Sequence, residues 1–228
     1  MTFTMRKALI AIVPLVTLAG CASYEHEHRA YYDGSRSRVV ALKSDAAEDL
    51  RIAMRKLWED HITYTRNYII SAIGNLPDAN SVLARLMQNQ DDIGNAVKPY
   101  YGEAAGRRLT GLLKEHIAIA GDVVTAAKSG DAGQLNMQQR RWSDNGRQIA
   151  DFLASANPNW NRADLESMMQ RHLDLTTGEV VGRLRADWNG DIRSYDAGHQ
   201  HMLMFADALT DGIAKQFPQR FTAVASRY

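Results

Sequence analysis

Cysteine is almost absent from this chain of 228 residues, which contains a single one, Cys21. No disulfide can form within one molecule, so folding depends on the packing of an apolar core. An excess of charge of one sign is also lacking, since 27 Lys and Arg residues stand against 26 Asp and Glu. This balance excludes a nucleic-acid binder that works through a strongly basic surface.

The sequence also lacks the short motifs that mark common catalytic sites. It contains no glycine-rich phosphate loop, no Gly-x-Ser-x-Gly nucleophile elbow and no His-Glu-x-x-His zinc motif. Hydride transfer, phosphoryl transfer and serine hydrolysis therefore have no marker, and we identify no catalytic residue. An enzyme of the cell envelope with an unrecognised site stays open as an alternative.

The one long apolar run lies at the N-terminus, over residues 8–18, directly after the basic pair Arg6 and Lys7. In a helix about 11 residues extend about 16 Å, roughly half of the hydrocarbon core of a membrane. The run is too short for a membrane span and is typical of an export signal. We therefore predict that residues 1–20 are a cleaved signal peptide.

Leu18-Ala19-Gly20-Cys21 follows this run and resembles the lipobox of bacterial lipoproteins, whose cysteine becomes the first mature residue and is acylated. The resemblance implies a lipid anchor at Cys21, with palmitate among its acyl chains, and a place in the cell envelope. Ala22 stands where inner-membrane lipoproteins have Asp, which implies the outer membrane, facing the periplasm, in a Gram-negative cell. Residues 21–43 are polar and indicate a flexible tether, which leaves 44–228 as the folded domain.

Beyond Ser44 the apolar residues recur with a helical period, and no alternating run predicts a strand. The sequence therefore predicts an all-α domain. Turn residues such as Pro77, Gly130 and Pro158 divide it into about six helices, near 44–73, 79–98, 103–128, 134–155, 162–187 and 191–217. Because the connections are short, we expect an up-and-down antiparallel bundle.

Three segments of this domain align without gaps around a histidine: His61, His116 and His172. Each histidine has one apolar residue four positions before it and another eight positions after it, which places it on the apolar face of its helix. The next helix in each case carries a second inward polar residue, 28, 29 and 27 positions later: Asn89, Asn145 and His199. The pattern predicts three pseudo-repeated helical hairpins of about 55 residues.

These six polar side chains need hydrogen-bond partners, because a buried polar group without one costs about 1–3 kcal/mol. One hypothesis is that each hairpin contains a local polar pair that fixes the register of its two helices. The pairs would be His61 with Asn89, His116 with Asn145, and His172 with His199.

A second hypothesis is that the repeats bring His61, His116 and His172 together as a three-nitrogen metal site with an open position, which suits zinc or a related ion. A third is a copper site of the soft His/Met type near His172. Its ligands would come from His199, His201, Met202, Met204, Met168 and Met169.

Residues 50–221 resemble a group of uncharacterised all-helical bacterial proteins, most clearly over 57–73, 88–102, 112–120 and 211–218. Members carry automatic labels such as glycosyltransferase, with no catalytic residues to transfer. A nucleotide-sugar transferase would show alternating strands and helices and an Asp-x-Asp motif, and this sequence shows neither. We expect a lipid-anchored envelope protein whose bundle is a binding or structural module for a small ligand or a partner protein. The metal-binding protein and the enzyme are the alternatives.

Overall fold

The computed structural model describes residues 46–221, so the predicted signal peptide, the anchor at Cys21 and the tether lie outside the described residues. Regular structure within this range is entirely helical, with no strand, which confirms the all-α class. The elements are α1 (Ala46–Gly74), α2 (Ala79–Ser129), α3 (Ala132–Ala156), α4 (Arg162–Leu184), α5 (Trp188–Gln216) and a short 3-10 turn (Pro218–Arg220).

The difference between about six expected helices and five observed ones lies in α2. This element spans both segments expected at 79–98 and 103–128, and its non-helical position is Gly102, with φ 82° and ψ 170°. A positive φ is strained for residues with a Cβ atom and open to glycine. The Thr110 hydroxyl donates to the Gln90 carbonyl across this point (3.4 Å), so the first arm (79–101) and second arm (103–129) of α2 lie against each other.

The helices form a closed ring, because each packs on the next along the chain and α5 returns to α1. At the end of the bundle where α1 begins, Arg51 binds Asp211 of α5 (2.7 Å). At the end where α1 finishes, the Lys128 ammonium of α2 donates to the Ala72 carbonyl (2.6 Å). The first contact joins the start of α1 to the end of α5, as expected for antiparallel neighbours, whereas the second joins the ends of α1 and α2. The described helices thus form a bundle, whose two ends we call the Ala46 end and the Gly74 end.

Side chains at the helix starts explain where several elements begin. Asn161 caps α4 by accepting from the backbone N–H of Ala163 (2.8 Å) and Asp164 (3.2 Å). Asp131 caps α3 in the same manner by accepting from Gln134 N–H (2.9 Å). Each cap satisfies N–H groups that lack a partner within the helix.

The core divides into a large apolar cluster toward the Ala46 end and smaller clusters toward the Gly74 end. The large cluster is built around Trp58, Leu112 and Phe205, and one of the smaller ones joins Ile69, Val124 and Val180. Among the helices of residues 46–221, none is both long and apolar enough to cross a membrane.

Gly94 and Gly106 permit the close approach of the two arms of α2. A Cβ atom on Gly94 would overlap the Thr110 hydroxyl and lie 2.8 Å from the Gly106 carbonyl oxygen. We predict that Gly94→Ala lowers the free energy of unfolding by about 1–3 kcal/mol, the usual cost of overpacking. Chemical denaturation monitored by circular dichroism measures this change.

Gly111→Ala, in the second arm of the same helix, is the matched control. Gly111 is exposed, and a Cβ atom there would meet nothing within 4 Å. Replacing a mid-helix glycine by alanine at such a site raises stability by about 0.5–1 kcal/mol. Equal effects of the two substitutions would show that the arms of α2 do not depend on this contact.

Candidate functional site: a buried histidine layer beside an apolar cavity

The three repeat histidines meet in the core of the bundle, from α1, the second arm of α2, and α4. His61, His116 and His172 are 2%, 2% and 3% exposed. The ring centroids of His61 and His172 lie 5.6 Å apart, and those of His116 and His172 lie 5.7 Å apart. The structure thus brings together three residues that are 55 and 56 positions apart in sequence. We call them the histidine layer.

Aromatic rings continue this layer on both sides. The Trp58 ring lies 5.6 Å from that of His61 and 5.0 Å from that of Phe205, in edge contacts. On the other side the Trp142 ring lies 5.3 Å from that of His116. The three imidazoles are therefore enclosed by aromatic surface rather than by charged groups.

The pair expected between His116 and Asn145 is present, and it fixes the protonation of the imidazole. His116 Nδ1 lies 2.8 Å from Asn145 Oδ1, while Asn145 Nδ2 donates to the Leu112 carbonyl (3.2 Å). Because the amide oxygen can only accept, Nδ1 of His116 carries the hydrogen and donates it. In the neutral ring Nε2 is then a bare lone pair, and this buried atom has no partner among the described residues.

The pair expected between His61 and Asn89 takes a different form. Asn89 Nδ2 donates to the Leu57 carbonyl (2.9 Å), and Asn89 Oδ1 accepts from the amide of Gln90 (3.1 Å). Gln90 is fully buried and was not singled out by its sequence pattern. Asn89 therefore joins the two helices through a backbone carbonyl rather than through the imidazole.

The pair expected between His172 and His199 is not found in residues 46–221. His199 lies at the surface, where its Nε2 is 3.0 Å from Glu59 Oε1. The inward histidine of α5 is His201, which donates from Nε2 to the Met168 carbonyl (2.8 Å). The helix register places His199 two residues away from the inward position, which is about 200° around the helix axis.

Asn89, Asn145 and His201 make one equivalent contact. Each donates a side-chain N–H to the carbonyl of the residue four positions before a layer histidine, across 2.9, 3.2 and 2.8 Å. His201 follows His172 by 29 positions, as Asn145 follows His116. A sequence signal for His201 existed, because buried Phe205 and Leu209 follow it by four and eight positions, the spacing of a core-facing stripe.

Unpaired polar atoms are concentrated in the histidine layer. One ring nitrogen of each histidine and the indole N–H of both tryptophans are buried without a hydrogen-bond partner among the described residues. They are His61 Nδ1, His116 Nε2, His172 Nδ1, Trp58 Nε1 and Trp142 Nε1. Since each orphaned polar atom costs about 1–3 kcal/mol, the layer is under-satisfied by its own side chains.

Burial keeps the layer uncharged at neutral pH. Desolvation lowers the pKa of His61 to about 3 and that of His116 to about 4. The pKa of His172 is also held well below its usual value, by desolvation first and then by the neighbouring histidines His61, His116 and His201. The three imidazoles are therefore neutral and keep one lone pair each.

A partly enclosed cavity of about 60 Å³ adjoins the layer toward the Gly74 end. Its walls come from α1, both arms of α2, α3 and α4, and are mainly aliphatic. They include Ile69, Leu86, Ile117, Ala120, Val124, Leu135, Trp142 and Val180, with Tyr68, Thr65, Thr176 and Gln139 as polar members. Two lining residues carry buried polar atoms that have no partner in the described part of the chain, Thr65 Oγ1 and Trp142 Nε1.

A buried ion-pair network joins α1, α4 and α5, and no sequence pattern predicted it. Arg66 of α1 donates to Glu179 of α4 (3.1 Å) and, through both terminal nitrogens, to Asp191 of α5 (2.8 and 3.0 Å). Glu179 and Asp191 are each 1% exposed. Desolvation raises the pKa of Glu179 to about 7, although Arg66 acts in the opposite direction. The network joins residues 113 and 125 positions apart.

The histidines and methionines of the third hypothesis are only partly brought together, since His201 bonds to the Met168 carbonyl in the core. His199 contacts Glu59 and Met204 is 49% exposed, whereas Met202 is buried in the large cluster. Within residues 46–221, no group of three or more His, Cys, Asp or Glu side chains is already placed to hold a metal ion. Zinc and copper binding therefore stay predictions.

Comparison of the chain with protein-family models, curated proteins and solved structures gives no match in any of the three. The resemblance to lipoproteins and to the helical bacterial group thus stays an expectation from the sequence. The histidine layer and the adjoining cavity are therefore the basis of the proposed function.

We predict that acidification destabilises the bundle below pH 6.5. The unfolded chain binds protons on its histidines near pH 6.5, whereas His61 and His116 in the folded chain do so only near 3 and 4. The unfolded state then binds more protons than the folded state. Each layer histidine therefore lowers the free energy of unfolding by up to about 1.4 kcal/mol for each pH unit by which the pH falls. Glu179 acts oppositely between pH 7 and 4.5, because its folded pKa is raised.

Between pH 6 and 5 the three layer histidines bind about three more protons in the unfolded state, and Glu179 binds about one more in the folded state. The net difference of two protons lowers the free energy of unfolding by about 2.7 kcal/mol per pH unit. His116→Gln should reduce this slope by about 1.4 kcal/mol per pH unit, and His199→Gln, which removes a surface imidazole, is the control. Denaturant unfolding at pH 7, 6 and 5 measures the slopes. Identical slopes in the wild type and His116→Gln would contradict the lowered pKa of His116 in the folded chain.

Proposed function

We propose that this protein is a lipid-anchored binding module of the cell envelope, whose helical bundle takes a small apolar ligand. The observation that carries the proposal is the cavity of about 60 Å³ between α1, α2, α3 and α4. Protein cores are normally filled to crystal-like density, so a partly enclosed apolar cavity is a departure that suits a ligand.

The chemistry of the walls restricts the ligand. Most of the lining is aliphatic, which favours an alkyl chain end or a small ring and disfavours a charged group. The unpaired Thr65 hydroxyl and Trp142 indole N–H can both donate a hydrogen bond. A ligand with an apolar body and one oxygen acceptor would satisfy them while it fills the space.

The three-hairpin arrangement belongs to the same proposal. Hairpins of α1 with the first arm of α2, of the second arm with α3, and of α4 with α5 each contain one layer histidine. The equivalent side-chain bonds to the Leu57, Leu112 and Met168 carbonyls support a pseudo-repeat. In such an arrangement corresponding positions of the three hairpins line one central space.

The anchor is proposed from the lipobox-like Leu18-Ala19-Gly20-Cys21. Acyl chains contribute about 0.8 kcal/mol per buried methylene, so a multiply acylated Cys21 would hold the protein on the membrane. In a Gram-negative cell this would be the outer membrane, facing the periplasm. The bundle would then be presented to small molecules or proteins of that compartment.

Ligand binding is tested with 1-hexanol, cyclohexanol and indole as probes in thermal melts. A probe at 100 times its Kd stabilises the folded state by about 2.7 kcal/mol, which for a domain of this size raises Tm by about 5–10 °C. Ala120→Val, which places two methyl groups in the cavity wall, should abolish the shift.

Ala118→Val is the control, because Ala118 lies two residues away on the same helix and is exposed. It carries the same propensity change and leaves the cavity untouched, so its probe-induced shift should equal that of the wild type. A shift of equal size in Ala120→Val would place the probes elsewhere, and no shift with any probe would overturn the apolar-ligand proposal.

Lipidation is tested by growing a bacterium that expresses the chain with an alkyne-tagged palmitate. We expect the tag on the wild-type protein, with a mature N-terminus at Cys21, and none on Cys21→Ser. Ser23→Ala, two residues away, is the control and should keep the tag. Labelled Cys21→Ser, or an unlabelled wild-type chain in a host that labels its own lipoproteins, would refute the anchor.

A further inference from the structure

We infer that the histidine layer is a metal site, in which His61, His116 and His172 bind one cuprous ion. The inference goes beyond the proposed ligand cavity and does not depend on it. It rests on three observations: a lone pair oriented by a second residue, an unpaired nitrogen on each ring, and the absence of carboxylates from the layer.

His116 has the arrangement of a metal ligand. Its Nδ1–H donates to Asn145 Oδ1 (2.8 Å), and Asn145 is held by the Leu112 carbonyl (3.2 Å). Histidines that bind metals donate their second ring N–H to an oxygen acceptor in this way, which fixes the tautomer and aims the free lone pair. The free Nε2 of His116 is buried and has no other partner among the described residues.

His61 and His172 each add a buried ring nitrogen, Nδ1 in both, that has no partner within residues 46–221. Their rings lie within 5.6 Å of each other, and His172 lies 5.7 Å from His116. The three are not already placed around a common point, so binding requires the rings to turn about the Cβ–Cγ bond. That torsion is broad for histidine and permits the adjustment.

The charge of the site favours a monovalent ion. The acidic residues next to the layer in sequence point away from it: Asp60 binds Lys56 (2.7 Å) and Arg85 (3.3 Å), and Glu115 is exposed. Within residues 46–221, no carboxylate is thus placed to offset the charge of the ion. Since desolvation cost grows with the square of the charge, a divalent ion would be about four times as costly to bury as a monovalent one.

Copper fits these requirements, because imidazole is a good copper ligand and the cuprous state carries a single charge.

The test is an anaerobic titration of the full chain with cuprous ion against a chromophoric chelator. The chain carries Cys21→Ser, so that the thiol does not bind copper, with His26→Gln and His28→Gln to remove the tether imidazoles. We expect one ion per chain and a higher Tm with copper. Zinc under the same conditions should bind at least about 10-fold more weakly.

His116→Gln should abolish one-ion binding while it keeps the fold, because the glutamine amide can still donate to Asn145. Asn145→Ser removes the acceptor of the His116 Nδ1–H together with the donor to the Leu112 carbonyl, and it should lower the affinity about 10- to 100-fold. The surface variant His199→Gln should bind as the parent chain does, and circular dichroism confirms that each variant is folded.

Several results would overturn the inference. The first is a parent chain that binds no copper. The second is that His116→Gln and Asn145→Ser bind copper as tightly as the parent chain does, and the third is that zinc binds as tightly as copper. In the first case the unpaired nitrogens would belong to a water-filled polar core. If His116→Gln does not fold, the copper affinities of Asn145→Ser and His199→Gln still test the inference. Equal affinities would show that His116 is not a ligand, because a site without His116 is insensitive to both substitutions.

Discussion

The need to satisfy polar groups inside an apolar bundle is the constraint on which this fold depends. Three imidazoles lie at one level of the core, and each hairpin supplies at that level a side chain that donates to a backbone carbonyl. An α-helix carbonyl has a second lone pair after its helical bond, so these contacts fix helix register without breaking the helix. A slip by one residue would leave a buried Asn or His without an acceptor.

Burial affects ionisable groups in different ways at two levels of the same core. In the histidine layer, desolvation removes charge by lowering the pKa of the imidazoles. Around Glu179, two carboxylates share one guanidinium from Arg66, and burial raises the pKa of Glu179 instead. The two levels respond to acid with opposite sign, and the larger number of histidines decides the direction for the domain.

The parts of this structure that follow from local rules could be predicted from the sequence. The helical class, the caps and the inward position of the three histidines come from periodicity and turn residues, all within one helix or its ends. The aligned repeat also suggested that His61, His116 and His172 lie at one level. His201 was missed because spacing to the previous helix allowed either histidine, although Phe205 and Leu209 carried the better stripe.

Features that depend on several helices at once left no such trace. Arg66, Glu179 and Asp191 come from three helices, and nothing in the sequence around any one of them selects the other two. Whether Gly102 ends a helix or reverses the chain inside one element depends on the packing of Gly94 against Gly106. Contacts between helices decide the ion-pair network and the reversal at Gly102, so the sequence of a single helix does not predict them.

The cavity follows from the same register that aligns the histidines. The positions four residues after the layer histidines hold Thr65, Ala120 and Thr176, which are small, and all three line the cavity. Larger side chains there would fill the core, and at about 24 cal/mol per Å³ the empty volume of about 60 Å³ costs roughly 1.4 kcal/mol. The proposed ligand site would account for small residues at this level, beside a polar layer whose hydrogen bonds are incomplete.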